Sequence, residues 1–549
     1  MQSLLPVGAA PAAPQQSAAP AAAAGGATAS PATASPAAAS AFASAQSASV
    51  SLGDAEFARL TQTYDADGGL PSSVPVWERA SDDSISGIMS ANYDSTSLAG
   101  RFHGLGAALL DRLLFSGSDY SQSVILRSPG SSSDGGVSTL DQTRQTQLHT
   151  VADNQVTLDI KTASGTTVHL SLTSQGGGLG VQIQVSGGTL SDAERIAVGG
   201  LADAFQTAID GLTGVPPQLA LDGLTQFDPG VLSSVDLRSS FKLADGSLQT
   251  LSFQADGQHR SVAYSGTAGT VNVDVDLSNP SLIGSASQQA NALANYLRQF
   301  DDAQSRGRGD AALMAMFKDA FTALNSNYGV SSDTATGAMP LSDMDHAMLS
   351  GLADFSASVR AAGQSSPNPM RPEEQDSFSY QVSQQTEIQG RGAADRSIEQ
   401  TQQSHLSASY HQALYPDTPL NLTGDKYSQN YYYYQIDDSA SSVASIGYRE
   451  GRLVKATLAQ SANQSTHTRK YVVGELQEDL TAPSSVSRGW DLLNLLQANQ
   501  PKEDGSSTRQ DLARWHDILS TIGDMVLMKS NPVLLRSAQL SGAKALDGA

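Results

Sequence analysis

Between Ser377 and Ser383 the apolar residues Phe378, Tyr380 and Val382 alternate with serine and glutamine. That spacing puts the three on one face of a pleated strand and the polar side chains on the other. Ser/Gln/Thr-rich segments of the same kind recur around Gln403, Gln429 and Gln464, so residues 377–482 predict a polar antiparallel β region. Pro483 is expected to end it, because proline has no N–H to give to a ladder. Period two also governs two earlier stretches. Val156, Leu158 and Ile160 share a face, as do Val168, Leu170 and Leu172, then Val181, Ile183 and Val185, with Gly176-Gly177-Gly178 as a turn; this is the signature of a β-meander. A second meander spans about Val235 to Leu277, with Val271, Val273, Val275 and Leu277 inward and Asn272, Asp274 and Asp276 outward.

Helices fill the intervals. Leucines three and four apart in Phe102–Leu114 predict an amphipathic packing helix within a helical region at 50–121. Ser191 and Glu194 form a capping box for a helix running to about Leu212, which completes a meander-plus-helix unit at 122–228. Helices near Ser281–Phe300 and Asp310–Asn325, and another opened by Leu341-Ser342-Asp343, complete a second such unit at 229–363. The two units echo each other: Leu-Ser-Asp precedes Gly200-Leu201-Ala202-Asp203 in one and Gly351-Leu352-Ala353-Asp354 in the other. Duplication and chance reuse of a good cap both account for this. Pro367, Pro369 and Pro372 mark 364–376 as a linker, and 483–549 as a helical tail follows from Trp490–Leu496 and Leu512–Met528. The fold class expected is α+β: antiparallel β-meanders packed with capped helices, a polar β-rich C-terminal half and a disordered N-terminal arm.

That arm is 1–49, almost wholly Ala, Pro, Ser, Gly, Thr and Gln, too poor in apolar surface to offset the entropy of ordering. The first basic residue is Arg59 and no apolar run follows Met1, so a secretory signal peptide is not expected; the chain is cytoplasmic or exported without one. Its 549 residues suffice for several domains. A net charge of −22 repels phosphate and disfavours nucleic acid and anionic membranes. Only 16% of residues are charged, so the polar surface of this acidic, soluble chain rests on hydroxyls, amides and backbone. With no cysteine, thiolate catalysis, disulfides and Cys-bearing zinc or iron–sulfur sites are ruled out. No apolar run is long enough for a transmembrane helix.

Candidate chemistry is sparse. Gly104 and Gly106 begin a dinucleotide fingerprint, but Leu109 occupies the third glycine position and no strand precedes it. Asn272, Asp274 and Asp276 offer oxygen ligands about 7 Å apart along a strand, too few for calcium without help from another segment. Asp343, Asp345 and His346 lie in a helix first turn, where acids are favoured by the dipole alone. His405 and His411 share a strand face but stand roughly 20 Å apart, too far for one metal. No phosphate-binding loop, zincin motif, nucleophile elbow or EF-hand loop is present, so no catalytic, cofactor or metal residue is assigned, while a dispersed Ser/His/Asp triad stays open. The most unusual feature is Tyr431-Tyr432-Tyr433-Tyr434: in a strand, two rings pack inward and two face outward as a recognition surface, with cross-strand packing as the alternative.

Several stretches resemble an uncharacterised proteobacterial protein family: Ser97–Phe102, Thr189–Arg195, Asp319–Phe321, Gly351–Phe355 and Ser404–His411. Some members carry a lactate-dehydrogenase label, which implies NAD, parallel β-α-β units and a His/acid pair; no residue here matches a catalytic position of that kind. The expectation is therefore a non-enzymatic binding or structural protein using an extended β surface around Tyr431, Tyr432, Tyr433 and Tyr434, with a protein or glycan partner. The alternative is an enzyme with a dispersed site, in its most specific form the dehydrogenase of the label. Unpaired strand edges in the Ser/Gln-rich region also permit self-association.

Overall fold

Alternating strands find their partners in one continuous antiparallel sheet. The computed structural model describes residues 75–127, 138–328, 340–363, 367–415, 418–501 and 506–537; the expected arm at 1–49 lies outside them. The strands are β1 (Pro75–Trp77), β2 (Tyr120–Leu126), β3 (Asn154–Thr162), β4 (Thr167–Gln175), β5 (Gly178–Ser186), β6 (Leu232–Lys242), β7 (Leu248–Asp256) and β8 (His259–Gly266). There follow β9 (Gly269–Asp276), β10 (Asp354–Ala361), β11 (Ser377–Gly392), β12 (Asp395–Ala413), β13 (Tyr431–Arg449), β14 (Arg452–Val472) and β15 (Glu475–Asp491). Their spatial order is β1-β2-β5-β4-β3, then β6 to β15 in sequence. The fold is α+β with antiparallel pairing throughout the described residues, as the alternation predicts.

The expected boundaries do not divide this sheet. β10 and β11, on either side of the proposed linker, are hydrogen-bonded neighbours, because closing a connection of this length costs little against a full ladder. Pro483 does not end the polar region either: it sits in β15 opposite Ser465, and the strand runs on to Asp491. An edge strand accepts proline where its nitrogen faces away from the neighbour. Trp490, assigned to the helical tail, is consequently a strand residue.

Helices cover one face. α1 (Ser84–Asn92), α2 (Leu98–Phe102), α3 (Leu105–Ser116), α5 (Asp192–Gly199) and α6 (Ala202–Thr213) lie at the β2–β6 end, and α4 (Thr139–Thr150) packs there on the opposite face through Leu148. The Ser191–Glu194 capping box is present, but the helix it opens breaks at Gly200 and resumes as α6. Gly106 has no place in a nucleotide turn. A Cβ there would lie 2.6 Å from Ile209, so the glycine permits the close packing of α3 on α6.

α7 (Ala286–Gly307) and α8 (Ala311–Leu324) bury Tyr296, Phe300, Phe317 and Phe321 against Phe355, Phe378 and Tyr380. α9 (Asp343–Ala347), α10 (Leu493–Asn499) and α11 (Arg509–Val526) close the far end over Ile398, Ile446 and Leu458. The echo between units stops at the cap. Both serines close a capping box, but Ala202-Asp203 begin a helix whereas Asp354 begins β10.

The glutamines divide between the faces. Gln384, Gln400, Gln402 and Gln460 are buried under the helices. Gln384 Nε2 donates to the Leu352 and Ala353 carbonyls, Gln402 Nε2 to Val526, and Gln460 Nε2 to Met525 and Leu527. These amides satisfy carbonyls left over at the end of α11 and before β10, which would otherwise be buried without partners.

Candidate functional site: the uncovered sheet face

From β6 to β15 the face opposite the helices carries small polar side chains in rows. Direct cross-strand partners run Asn272, Ser358, Gln381, His405, Ser439 and Asn463 across β9 to β14. The next row runs Asp274, Ser356, Ser383, Gln403, Ser441 and Ser461. Six strands span roughly 24 Å. Because serines alternate with longer amides, the rows leave a groove of about 810 Å³. Asp274 and His405 are the ionisable side chains of these two rows. Asp274 lies 2.7 Å from His259 Nε2, and His405 Nε2 lies 3.0 Å from Asp437. The two rows are therefore otherwise built of uncharged side chains, within a strongly acidic chain.

Toward one end the same face is crossed by residues 367–376, the described part of the linker predicted at 364–376. The strap is held by side chains of β12, β13 and β14. Glu374 accepts from the hydroxyls of Tyr431 (2.6 Å) and Tyr471 (2.7 Å). The Asp376 carboxylate accepts from His411 Nδ1 at 2.6 Å and from the His411 backbone N–H at 2.9 Å. The Gln375 carbonyl accepts from Ser409 and Tyr433, and Asn368 Nδ2 donates to Gln429 and Tyr431. Arg371 donates to the Gly474 carbonyl at 2.6 Å and lies over the Tyr471 ring. His411 Nε2 and Arg469 both stand 3.6 Å from Glu374.

These contacts set the charges. Burial works to raise the Glu374 pKa, but the adjacent His411 imidazole and the hydrogen bonds from Tyr431 and Tyr471 outweigh it and hold the carboxyl below its usual range. Burial works to lower His411, and the Asp376 and Glu374 carboxylates reverse it, lifting the imidazole to about 9. Burial, then Glu374, pushes the Tyr471 hydroxyl up to about 12. A histidinium, two carboxylates and two tyrosines are also an acid–base set. The His411 and Glu374 side chains, however, are only 3% and 1% exposed, so the cluster is sealed beneath the strap and serves to fasten it.

The four tyrosines are thereby split. Tyr431 and Tyr433 are buried under the strap, while Tyr432 and Tyr434 lie half-buried on the opposite face, where Tyr434 packs on Tyr410. A recognition surface built on the whole run is left with two of its rings. Asn272, Asp274 and Asp276 are exposed on the open face, as alternation requires. His405 and His411 share that face in one continuous β12 but bind different acids. Asp345 turns inward to Arg396, whereas Asp343 and His346 line a separate cavity beside α7 and α11. No group of three or more metal-ligating side chains occurs among the described residues.

Glu374, Asp376, Arg371 and Arg469 were not singled out from sequence. The available signal was the cluster Arg371-Pro372-Glu373-Glu374-Gln375-Asp376, unusually charged for this chain. No family model, curated protein or solved structure matches the chain.

Proposed function

We propose that this protein is a non-enzymatic binding protein whose uncovered sheet face takes an extended, uncharged, hydroxyl-rich polymer, most simply a neutral glycan. The observation that carries the reading is the pair of uninterrupted polar rows across β9 to β14, lining one groove. Serine, asparagine and glutamine both donate and accept, which suits hydroxyl groups repeated along a chain. Protein interfaces are anchored by buried aromatic and apolar residues, and the large exposed hydrophobics lie elsewhere. The pairing is antiparallel throughout the described sheet, and nothing in it supports the nucleotide crevice that the dehydrogenase alternative requires at parallel strand ends.

Contacts of this kind are individually weak, so affinity is expected to rise with oligomer length until the groove, roughly 24 Å across the six strands, is filled. Calorimetric titration of neutral gluco- and chito-oligosaccharides, from dimer to octamer, tests this. Ser383→Trp and Ser439→Trp should each block binding by filling the groove. Absence of binding by every oligomer, or binding untouched by both substitutions, would overturn the reading.

A further inference from the structure

A second cavity lies on the other side of the sheet, between α7 and strands β11 to β13, with a volume of about 360 Å³. It is lined by Gln299, Asp302 and Arg306 from α7, by Tyr380, Ser404 and Asp438 from the strands, and by residues 530–531 beyond α11. Two of these side chains are almost wholly buried and carry a polar atom without a partner. Tyr380 is 2% exposed and its hydroxyl makes no hydrogen bond; Ser404 lies on the neighbouring strand β12. Gln299 is 5% exposed; its Nε2 donates to the Met528 carbonyl, while its Oε1 accepts nothing.

Native interiors pair nearly all such groups, and neither orphan is explained by the packing around it. The Tyr380 ring is fixed against Phe300 and Phe317, so the hydroxyl cannot swing to another partner without breaking the aromatic core. The charges at the cavity are mostly spent on each other. Arg306 makes a two-pronged pair with Asp438 and donates also to Thr466. Asp302 stands exposed at the rim and disfavours an anion. What remains unmet inside is a phenolic hydroxyl and an amide carbonyl. A ligand hydroxyl group, which donates and accepts together, meets both.

We infer that this cavity is a binding site for one small neutral polyhydroxylated molecule of monosaccharide size, held between Tyr380, Gln299 and the Arg306–Asp438 pair. The volume falls at the lower end of small-molecule sites. The site is separate from the groove of the proposed function and stands or falls without it.

Saturation-transfer NMR on the full chain with D-glucose, D-galactose, N-acetylglucosamine and myo-inositol tests the inference. At least one of the four should receive saturation, with affinity falling tenfold or more in Tyr380→Phe and in Gln299→Leu and unchanged in the groove variant Ser383→Trp. Circular dichroism reports whether each variant folds; if Tyr380→Phe does not, Gln299→Leu decides. No transfer to any of the four means that ordered water fills the cavity, and the inference fails. It fails equally if the signal survives both cavity substitutions, or is lost in Ser383→Trp instead, which would place the sugar on the open face.

Discussion

The buried ionic contacts are each anchored by one acid. Asp345 is fully buried, caps α9 through Ser342 and pairs with Arg396, whose guanidinium also lies over Tyr448. Removing one partner strands the other charge in a medium of low dielectric, so Arg396→Met is expected to destabilise by about 3–5 kcal/mol, read from urea unfolding. His411 gives a pH signature. Its folded pKa of about 9 exceeds the ordinary value of 6.5, so its contribution is complete below about 6.5 and disappears as pH rises through about 9. Glu374 is shifted the other way: its contribution is present above its ordinary 4.5 and is lost as pH falls. The melting temperature should therefore decline on the alkaline side between those two values. An identical alkaline decline in His411→Gln would show that the imidazole is not responsible. Val473 supplies a third test. It sits at φ +50° in the turn before Gly474, a conformation unfavourable to a β-branched residue. Its N–H is held by Asn430 Oδ1 at 2.8 Å and the next carbonyl by Arg371. Val473→Asn should raise stability by about 1 kcal/mol, and a lower melting temperature would contradict the assignment of strain.

Among the elements, β15 matters most for association. It is a 17-residue edge strand, largely exposed, and the opposite edge is the three-residue β1. A long bare edge templates pairing with another chain unless something blocks it. β15 carries Glu475, Glu478, Asp479, Arg488 and Asp491, with Pro483 near its middle. We expect the wild-type chain to hold one mass across a concentration series in light scattering. Pro483→Val combined with Asp479→Val should associate as concentration rises. A concentration-independent mass for that variant would mean that β15 is protected by something other than these residues. The element reading also shows how much of the candidate site was legible. Alternation identified the outward residues of β9 and β11 and put His405 and His411 on one face of β12, but β10, which joins the rows through Ser356 and Ser358, was not anticipated as a strand. The strap did not follow: three prolines in ten residues look like a linker whether the segment hangs free or is bonded to its neighbours, because proline reports backbone conformation and nothing about contacts.

Across the molecule, burial is uneven along the same strands. β14 is buried from Ala456 to Ala462 over the α10–α11 core, then becomes half-exposed on both faces from Asn463 to Lys470. Amide hydrogen exchange should follow that gradient, slowest in β3 to β10 and fastest in the far halves of β14 and β15, since opening free energy tracks buried apolar contact. Uniform protection along β14 would argue for a cover over that end, such as a partner chain. The α+β class, antiparallel pairing and the helix starts at Ser191, Asp310 and Ser342 were readable at this scale, whereas α4 and the separate α6 were not. The merging of the expected units into one sheet was not.

What the sequence settles alone is local: which side chains share a face, where Ser191 and Ser342 cap helices, and which turns take glycine. These depend on backbone geometry within a few residues. Tertiary structure decided that β10 pairs with β11 across the strap, that Gln384, Gln400, Gln402 and Gln460 lie under the helices, and that His411 and Glu374 meet beneath Tyr431 and Tyr471. A period of two gives each strand two faces but assigns neither its neighbours nor its cover; those are fixed by contacts between residues far apart in the chain.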